Sequence, residues 1–185
     1  MNGKYKVNRL EERGVQFEER MFEKRSRYLM LFLTLNYKPE YRDDIVLDDI
    51  RRHRDRLLKN TECNSLLKGI EGYIWKIEEG REAGLHIHML IFYSGASRAD
   101  IHIAQYIGEY WGSVATRGLG AYWNSNGDKD SLRRRGLGLG VGQVNRKDES
   151  KRLAIREIIQ YLAKSAQAVT ERAPHVRTFG ISELP

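Results

Sequence analysis

His86 and His88 stand in Gly84-Leu85-His86-Ile87-His88-Met89-Leu90-Ile91-Phe92, a run whose apolar, β-favouring residues predict a strand. Side chains alternate faces along a strand. The two imidazoles therefore share one face, and Leu85, Ile87, Met89 and Ile91 share the other. Two imidazoles side by side on rigid backbone can chelate one metal ion. The plainer alternative is a pair of polar residues on the wet face of a half-buried sheet.

The preceding run, Tyr73-Ile74-Trp75-Lys76-Ile77-Glu78-Glu79, also reads as a strand, and Gly80-Arg81-Glu82-Ala83-Gly84 supplies a turn between the two. Trp75 and Ile77 fall on the face that needs burial, Lys76 and Glu78 on the other. A hairpin with Glu78 opposite His86 brings their Cβ atoms to about 5 Å. Parity selects Glu78 over Glu79, which shares the Trp75 face and reads as a solvated charge at the turn edge. Two imidazoles and one carboxylate leave coordination positions open for substrate, as a catalytic metal requires.

A third element carries a phenol. Ser150 to Val169 has helical periodicity, with Ile155, Ile158, Ile159, Leu162 and Ala166 in an apolar stripe. Tyr161 lies roughly 100° around from Leu162, at the stripe's edge. Lys164 follows it by one turn and Glu157 precedes it by one turn, both on its side of the helix. A tyrosine so placed is either a half-buried core residue with its hydroxyl in water or a nucleophile.

Taken together, Phe32-Leu33-Thr34-Leu35-Asn36-Tyr37, Trp75-x-x-Glu78, His86-x-His88 and Tyr161-Leu162-Ala163-Lys164 resemble the motifs of the HUH endonuclease superfamily. The likeness is to rolling-circle replication initiators of the filamentous-phage and prophage type, and Arg177-Thr178-Phe179-Gly180-Ile181-Ser182 adds to it. It spans about Tyr28 to Ser182. The resemblance implies an HUH endonuclease fold and a metal-dependent, site-specific endonuclease that nicks and rejoins single-stranded DNA to start rolling-circle replication. In that reading Glu78, His86 and His88 hold a divalent cation, Mg²⁺ or Mn²⁺. Tyr161 attacks phosphorus, giving a 5′-phosphotyrosine and a free 3′-hydroxyl, and Lys164 favours the phenolate or holds a phosphate oxygen. A phenol pKa of about 10 makes activation necessary. Glu157 and Ser165, four residues either side of Tyr161, leave one candidate tyrosine and argue against the two-tyrosine subclass. The tyrosine follows the histidines, which favours replication or transposition over conjugation.

The implied partners are single-stranded DNA or an origin hairpin, with a helicase and polymerase from the host or the element. The implied setting is the cytoplasm of a bacterial host, and a monomer is expected. Two alternatives stay open. One is a single-strand DNA transposase of the same superfamily. The other is a non-catalytic nucleic-acid-binding domain of ferredoxin-like shape, which needs exposed aromatics on its sheet face.

Composition is compatible with these readings. The 185 residues suit one domain over 1–185 with a sizeable core. Residues 1–27 mix Lys, Arg and Glu with scattered Leu10, Val15, Phe17 and Phe22, and read as a charged N-terminal helical extension. A net charge of +7 suits a polyanionic partner, or simply a soluble basic protein. Arg133, Arg134 and Arg135, with Arg146 and Lys147, flank a glycine-rich run and are candidate DNA contacts. Tyr122 and Trp123 just upstream are candidate stacking platforms for bases. The glycines lack the Gly-Lys-Ser/Thr ending of a phosphate-binding loop, and Gln143 stands where a dinucleotide loop needs its third glycine. The single Cys63 excludes an intramolecular disulfide and suits a reducing cytoplasm. No apolar run approaches the roughly 18 residues of a membrane span, and the N-terminus is too charged for a signal peptide.

The elements that must position these groups follow from pattern. Tyr28 to Asn36 is apolar on both faces and is expected to be a central strand. A helix follows over Ile45 to Lys59, then hairpin strands at 73–79 and 85–93. Asp100 is the expected N-cap of a helix through about Trp111, and a strand is expected near Val141 to Asn145, before the tyrosine helix. This is the order of an α+β, ferredoxin-like (RRM-like) sandwich with a central antiparallel sheet. Helices are expected on one sheet face, leaving the histidine face for DNA and the tyrosine helix. His53, among Arg51, Arg52, Arg54 and Arg56, reads as solvent-facing; neither it, His102 nor His175 is assigned to the metal.

Overall fold

The computed structural model describes residues 8–61, 63–164, 168–170 and 175–184. Its helices are α1 (Arg9–Lys24), α2 (Leu47–Lys59), α3 (Asp100–Tyr110), α4 (Lys129–Arg134) and α5 (Glu149–Ala163). Its strands are β1 (Arg27–Tyr37), β2 (Ile70–Gly80), β3 (Gly84–Ser94), β4 (Gly120–Asn124), β5 (Gly142–Asn145) and β6 (Phe179–Ile181). Together they form a mixed α+β fold around one antiparallel sheet in the order β4-β1-β3-β2-β6. β5 pairs with the first half of β1, opposite Arg27 to Met30, and β4 with its second half, opposite Leu33 to Tyr37.

β1 is central, as its two apolar faces require, and is buried from Tyr28 to Leu35. The expected strand at 141–145 forms, but β4 was not foreseen. Its five residues follow a glycine turn and are too few to display a period.

Both sheet faces are covered; the tyrosine helix was expected on the histidine face, but α1 beside it was not, which corrects the expectation that the rest of that face stays open. α2 and α3 pack on Leu29, Leu31, Leu33, Ile77, Ile87 and Met89. α1 and α5 pack on Tyr28, Met30, Phe32, Ile74, Leu90 and Phe92. The charged N-terminal extension is therefore a layer of the core, since Phe17, Met21 and Phe22 of α1 are buried. Phe17 and Tyr28 meet Phe92 edge-on at 5.5 and 5.6 Å, and Phe22 meets Tyr28 at 5.4 Å. Such pairs add about 0.5–1.5 kcal/mol each beyond their burial. Residues 1–7 of the expected extension lie outside the described residues.

Glu18, fully buried on α1, accepts hydrogen bonds from Arg152 and Arg156 of α5. This ion cluster ties the N-terminal helix to the tyrosine helix. α5 starts where Asp148 accepts from the Lys151 amide at 3.1 Å, and ends at Ala163. Ala166 of the expected stripe lies outside the described residues.

Asp100 is the first residue of α3 rather than its cap; Ala99 occupies the cap position with no side-chain bond. The Asp100 carboxylate instead accepts from Asn126 Nδ2 at 2.9 Å. Asn126 also holds the Phe32 amide and the Met30 carbonyl, so a buried amide laces the β4 loop to β1. Among the described residues no helix is long and apolar enough to cross a membrane.

Candidate metal centre and its tyrosine

The β2–β3 hairpin sets Glu78 opposite His86 and Lys76 opposite His88. Gly84, at φ +62, makes the turn into β3 in a conformation that favours glycine. Glu78 Oε2 lies 3.4 Å from His88 Nε2 and 3.8 Å from His86 Nε2. One ligand atom from each of the three lies within 4.8 Å of the others. All three side chains are buried, at 3–4 % exposure.

Their outer atoms decide whether the set fits a cation. His86 Nδ1 lies 2.9 Å from the Gly84 carbonyl, which can only accept. Nδ1 therefore carries the proton, and Nε2 keeps a free lone pair. His88 Nδ1 sits 3.0 Å from Thr34 Oγ1 on β1, so the threonine fixes that ring too. Such partners orient a metal-binding imidazole and raise its basicity. Burial, then the neighbouring His88, holds the His86 imidazole below its ordinary range and so in the neutral, ligating form. Two oriented nitrogens and one carboxylate oxygen suit a divalent cation.

Tyr161 reaches this cluster from α5. Its neighbours Ile158, Ile159 and Leu162 are buried against the sheet, leaving Tyr161 half-buried at the edge. Its hydroxyl lies 3.3 Å from His88 Nε2, with the rings edge-on at 5.4 Å. Burial and then Glu78 push the phenol pKa up, while Arg135 pulls it down. A half-buried core tyrosine and one at the cluster are thus the same residue here.

Lys164 departs from expectation. The helix ends before it, and Lys164 is an exposed C-cap with extended backbone (ψ 135) instead of a helical residue one turn on from Tyr161. Among the described residues, the cation whose charge lowers the phenol pKa is Arg135, the exposed cap just past the end of α4. Arg133 and Arg134 pair with Asp130 and Asp128. Arg146 is spoken for, since its guanidinium donates to the Phe22 and Glu23 carbonyls at the end of α1. Lys147 is exposed. Tyr122 packs among the α2 and α3 residues on the opposite sheet face. Trp123 is 47 % exposed and pairs opposite Thr34, on the histidine face.

His53 is a further correction. It is buried, with Nδ1 2.8 Å from the Tyr37 hydroxyl and its ring edge-on to Trp111. It lies at the inward spacing Ile50, His53, Leu57 of α2, which the surrounding arginines masked. His102 and His175 are exposed. Sequence reasoning assigned no site role to Thr34, although two polar residues, Thr34 and Asn36, interrupting one face of an apolar strand were a signal. No family model, no curated protein and no solved structure matches the chain.

Proposed function

We propose that this protein is a metal-dependent endonuclease of the HUH class that nicks and rejoins single-stranded DNA through Tyr161, starting rolling-circle replication. One observation carries the reading: the Tyr161 hydroxyl lies 3.3 Å from the same His88 nitrogen that lies 3.4 Å from Glu78. A phenol from a distant helix and a three-ligand hairpin meet at one point. The strand order β4-β1-β3-β2, with α2 joining β1 to β2 and α3 joining β3 to β4, is that of a ferredoxin-like sandwich. That order supports the HUH fold, with α1, α5, β5 and β6 added to it.

Glu78, His86 and His88 would hold the cation, Mg²⁺ or Mn²⁺. Bound there, it would polarise a phosphate oxygen and offset charge in the transition state. The Tyr161 oxygen attacks phosphorus and the bond from phosphorus to the 3′-oxygen breaks. The products are a 5′-phosphotyrosine and a 3′-oxygen that takes up a proton. One phosphodiester is exchanged for another, so a 3′-hydroxyl can reverse the step and rejoin the strand. An imidazole nitrogen can hold a proton or a cation but not both, so His88 would have to release its contact with the Tyr161 hydroxyl in order to ligate a metal through Nε2.

Arg135 opposes the burial and the Glu78 charge that keep the phenol protonated. Trp123, two strand spacings or about 10 Å from His88, offers a flanking base a stacking surface. Lys147 and Lys164 are exposed cations for the backbone. The setting proposed is the cytoplasm of a bacterial host, with the protein a monomer acting on an origin hairpin beside a helicase and polymerase.

The test mixes protein, Mn²⁺ and end-labelled single-stranded origin DNA and resolves the products on a denaturing gel. A covalent protein–DNA band is expected from the wild type, and none from Tyr161→Phe, which still binds DNA. An adduct that persists in Tyr161→Phe moves the nucleophile elsewhere and refutes the proposal.

A further inference from the structure

Asn36 Oδ1 is buried and has no hydrogen-bond partner, a condition it shares with only Ser125 Oγ among the described side chains. Buried carbonyl oxygens are nearly always satisfied, and one that is not calls for a ligand, water or ion. A serine hydroxyl can rotate to find a partner; a carboxamide oxygen on fixed backbone has less freedom. The Asn36 backbone is fixed, paired opposite Ala121 and accepting from Trp111 Nε1 at 2.8 Å.

Register places this oxygen's residue at the metal cluster. Thr34 stands opposite His88 and bonds its ring. The two-residue step from His88 to His86 along β3 matches the antiparallel step from Thr34 to Asn36 along β1. Continued one step past its last pair, Leu35 opposite Ile87, this register sets Asn36 across from His86, on the side away from Glu78. His86 has no proton for it. Nδ1–H is given to the Gly84 carbonyl, and the neutral ring carries none on Nε2.

We infer that Asn36 is a fourth protein ligand, its carboxamide oxygen completing a set of two nitrogens and two oxygens with Glu78, His86 and His88. This rests on the metal reading above. A second oxygen favours the hard cations Mg²⁺ and Mn²⁺, which take carbonyl and carboxylate oxygens, over metals that prefer nitrogen.

Mn²⁺ binding to the purified proteins, read by calorimetry and by the electron-spin signal of free Mn²⁺, tests this without DNA or activity. Asn36→Ala is expected to weaken Mn²⁺ binding about tenfold, the scale on which metal sites respond to loss of a supporting group. Asn36→Asp, which keeps an oxygen there and adds charge, is expected to match or exceed wild-type affinity. Urea midpoints confirm that each variant is folded; if Asn36→Ala is not, the Asp variant alone decides. Wild type and His86→Ala binding Mn²⁺ alike would overturn the metal reading itself. Wild-type affinity in Asn36→Ala beside a lost site in His86→Ala overturns only the assignment of Asn36, as does an Asp variant that binds as weakly as the alanine.

Discussion

Replacing Glu18 should weaken the protein less than removing the arginines that bind it, although both changes lose the same Glu18 hydrogen bonds; the arginines also give up weaker bonds to the Arg146 carbonyl and to Glu19. Arg152 donates to both Glu18 oxygens, at 2.7 and 3.0 Å, and Arg156 donates twice to Oε2, at 3.1 and 3.2 Å. Hydrogen bonds to charged groups contribute about 1.5–3 kcal/mol each in stability measurements, but the two sides differ in what is left behind. In Glu18→Ala the remaining guanidiniums are 20 % and 34 % exposed and can rehydrate, so the expected loss is about 2–3 kcal/mol. In the Arg152→Ala/Arg156→Ala double variant a carboxylate that is 0 % exposed in the wild type loses both of its cations. Stranding a buried charge costs about 3–5 kcal/mol, and the Arg152 guanidinium's 4.8 Å approach to the Phe22 ring is lost as well. Urea unfolding at pH 7 measures both. By thermal melting, at about 2–4 °C per kcal/mol for a chain this long, Glu18→Ala should fall about 4–12 °C and the double variant further. Both should slow adduct formation, because α1 braces the helix that carries Tyr161. A Glu18→Ala variant as unstable as the double variant would refute the reasoning, since burial would then not distinguish the partners.

Two further outcomes are expected. Arg135→Gln removes a cation that lowers the Tyr161 phenol pKa, so adduct formation should slow at pH 7 and its pH–rate profile should move to higher pH; an unmoved profile would remove Arg135 from the site. Burial and then Arg56 hold the His53 imidazole below its ordinary 6.5. Its contribution to stability is complete above 6.5, and is lost as pH falls from there toward the folded-state value, because the unfolded chain takes up a proton that the folded one resists. Urea midpoints should therefore fall between pH 7 and 5 and fall less in His53→Asn, and an equal slope in both proteins would argue against a buried neutral His53.

The hairpin was legible in the chain because everything that sets it is local. Parity put His86 and His88 on one face, and the turn at Gly80 to Gly84 fixed Glu78 opposite His86. The Tyr161 helix and its apolar stripe were legible for the same reason, since a 3.6-residue period is a property of neighbouring residues. His53 was legible too, at its inward spacing on α2, but its charged neighbours outweighed the period.

Other features depended on which faces meet. Residues 9–24 carry enough charge to pass for an arm, yet Phe17, Met21 and Phe22 find an apolar sheet face beside α5. Arg146 looked like a candidate DNA contact, as Lys147 did, until the end of α1 arrived beside it. Tyr122 and Trp123 are adjacent in the chain but lie on opposite faces of β4, and only the pairing of β4 with β1 assigns Trp123 to the histidine side. Backbone geometry repeats from one residue to the next, so faces and periods can be read along the chain. Contact between Tyr161 and His88, 73 positions apart, depends on burying two apolar surfaces against each other, and no short stretch of residues encodes it.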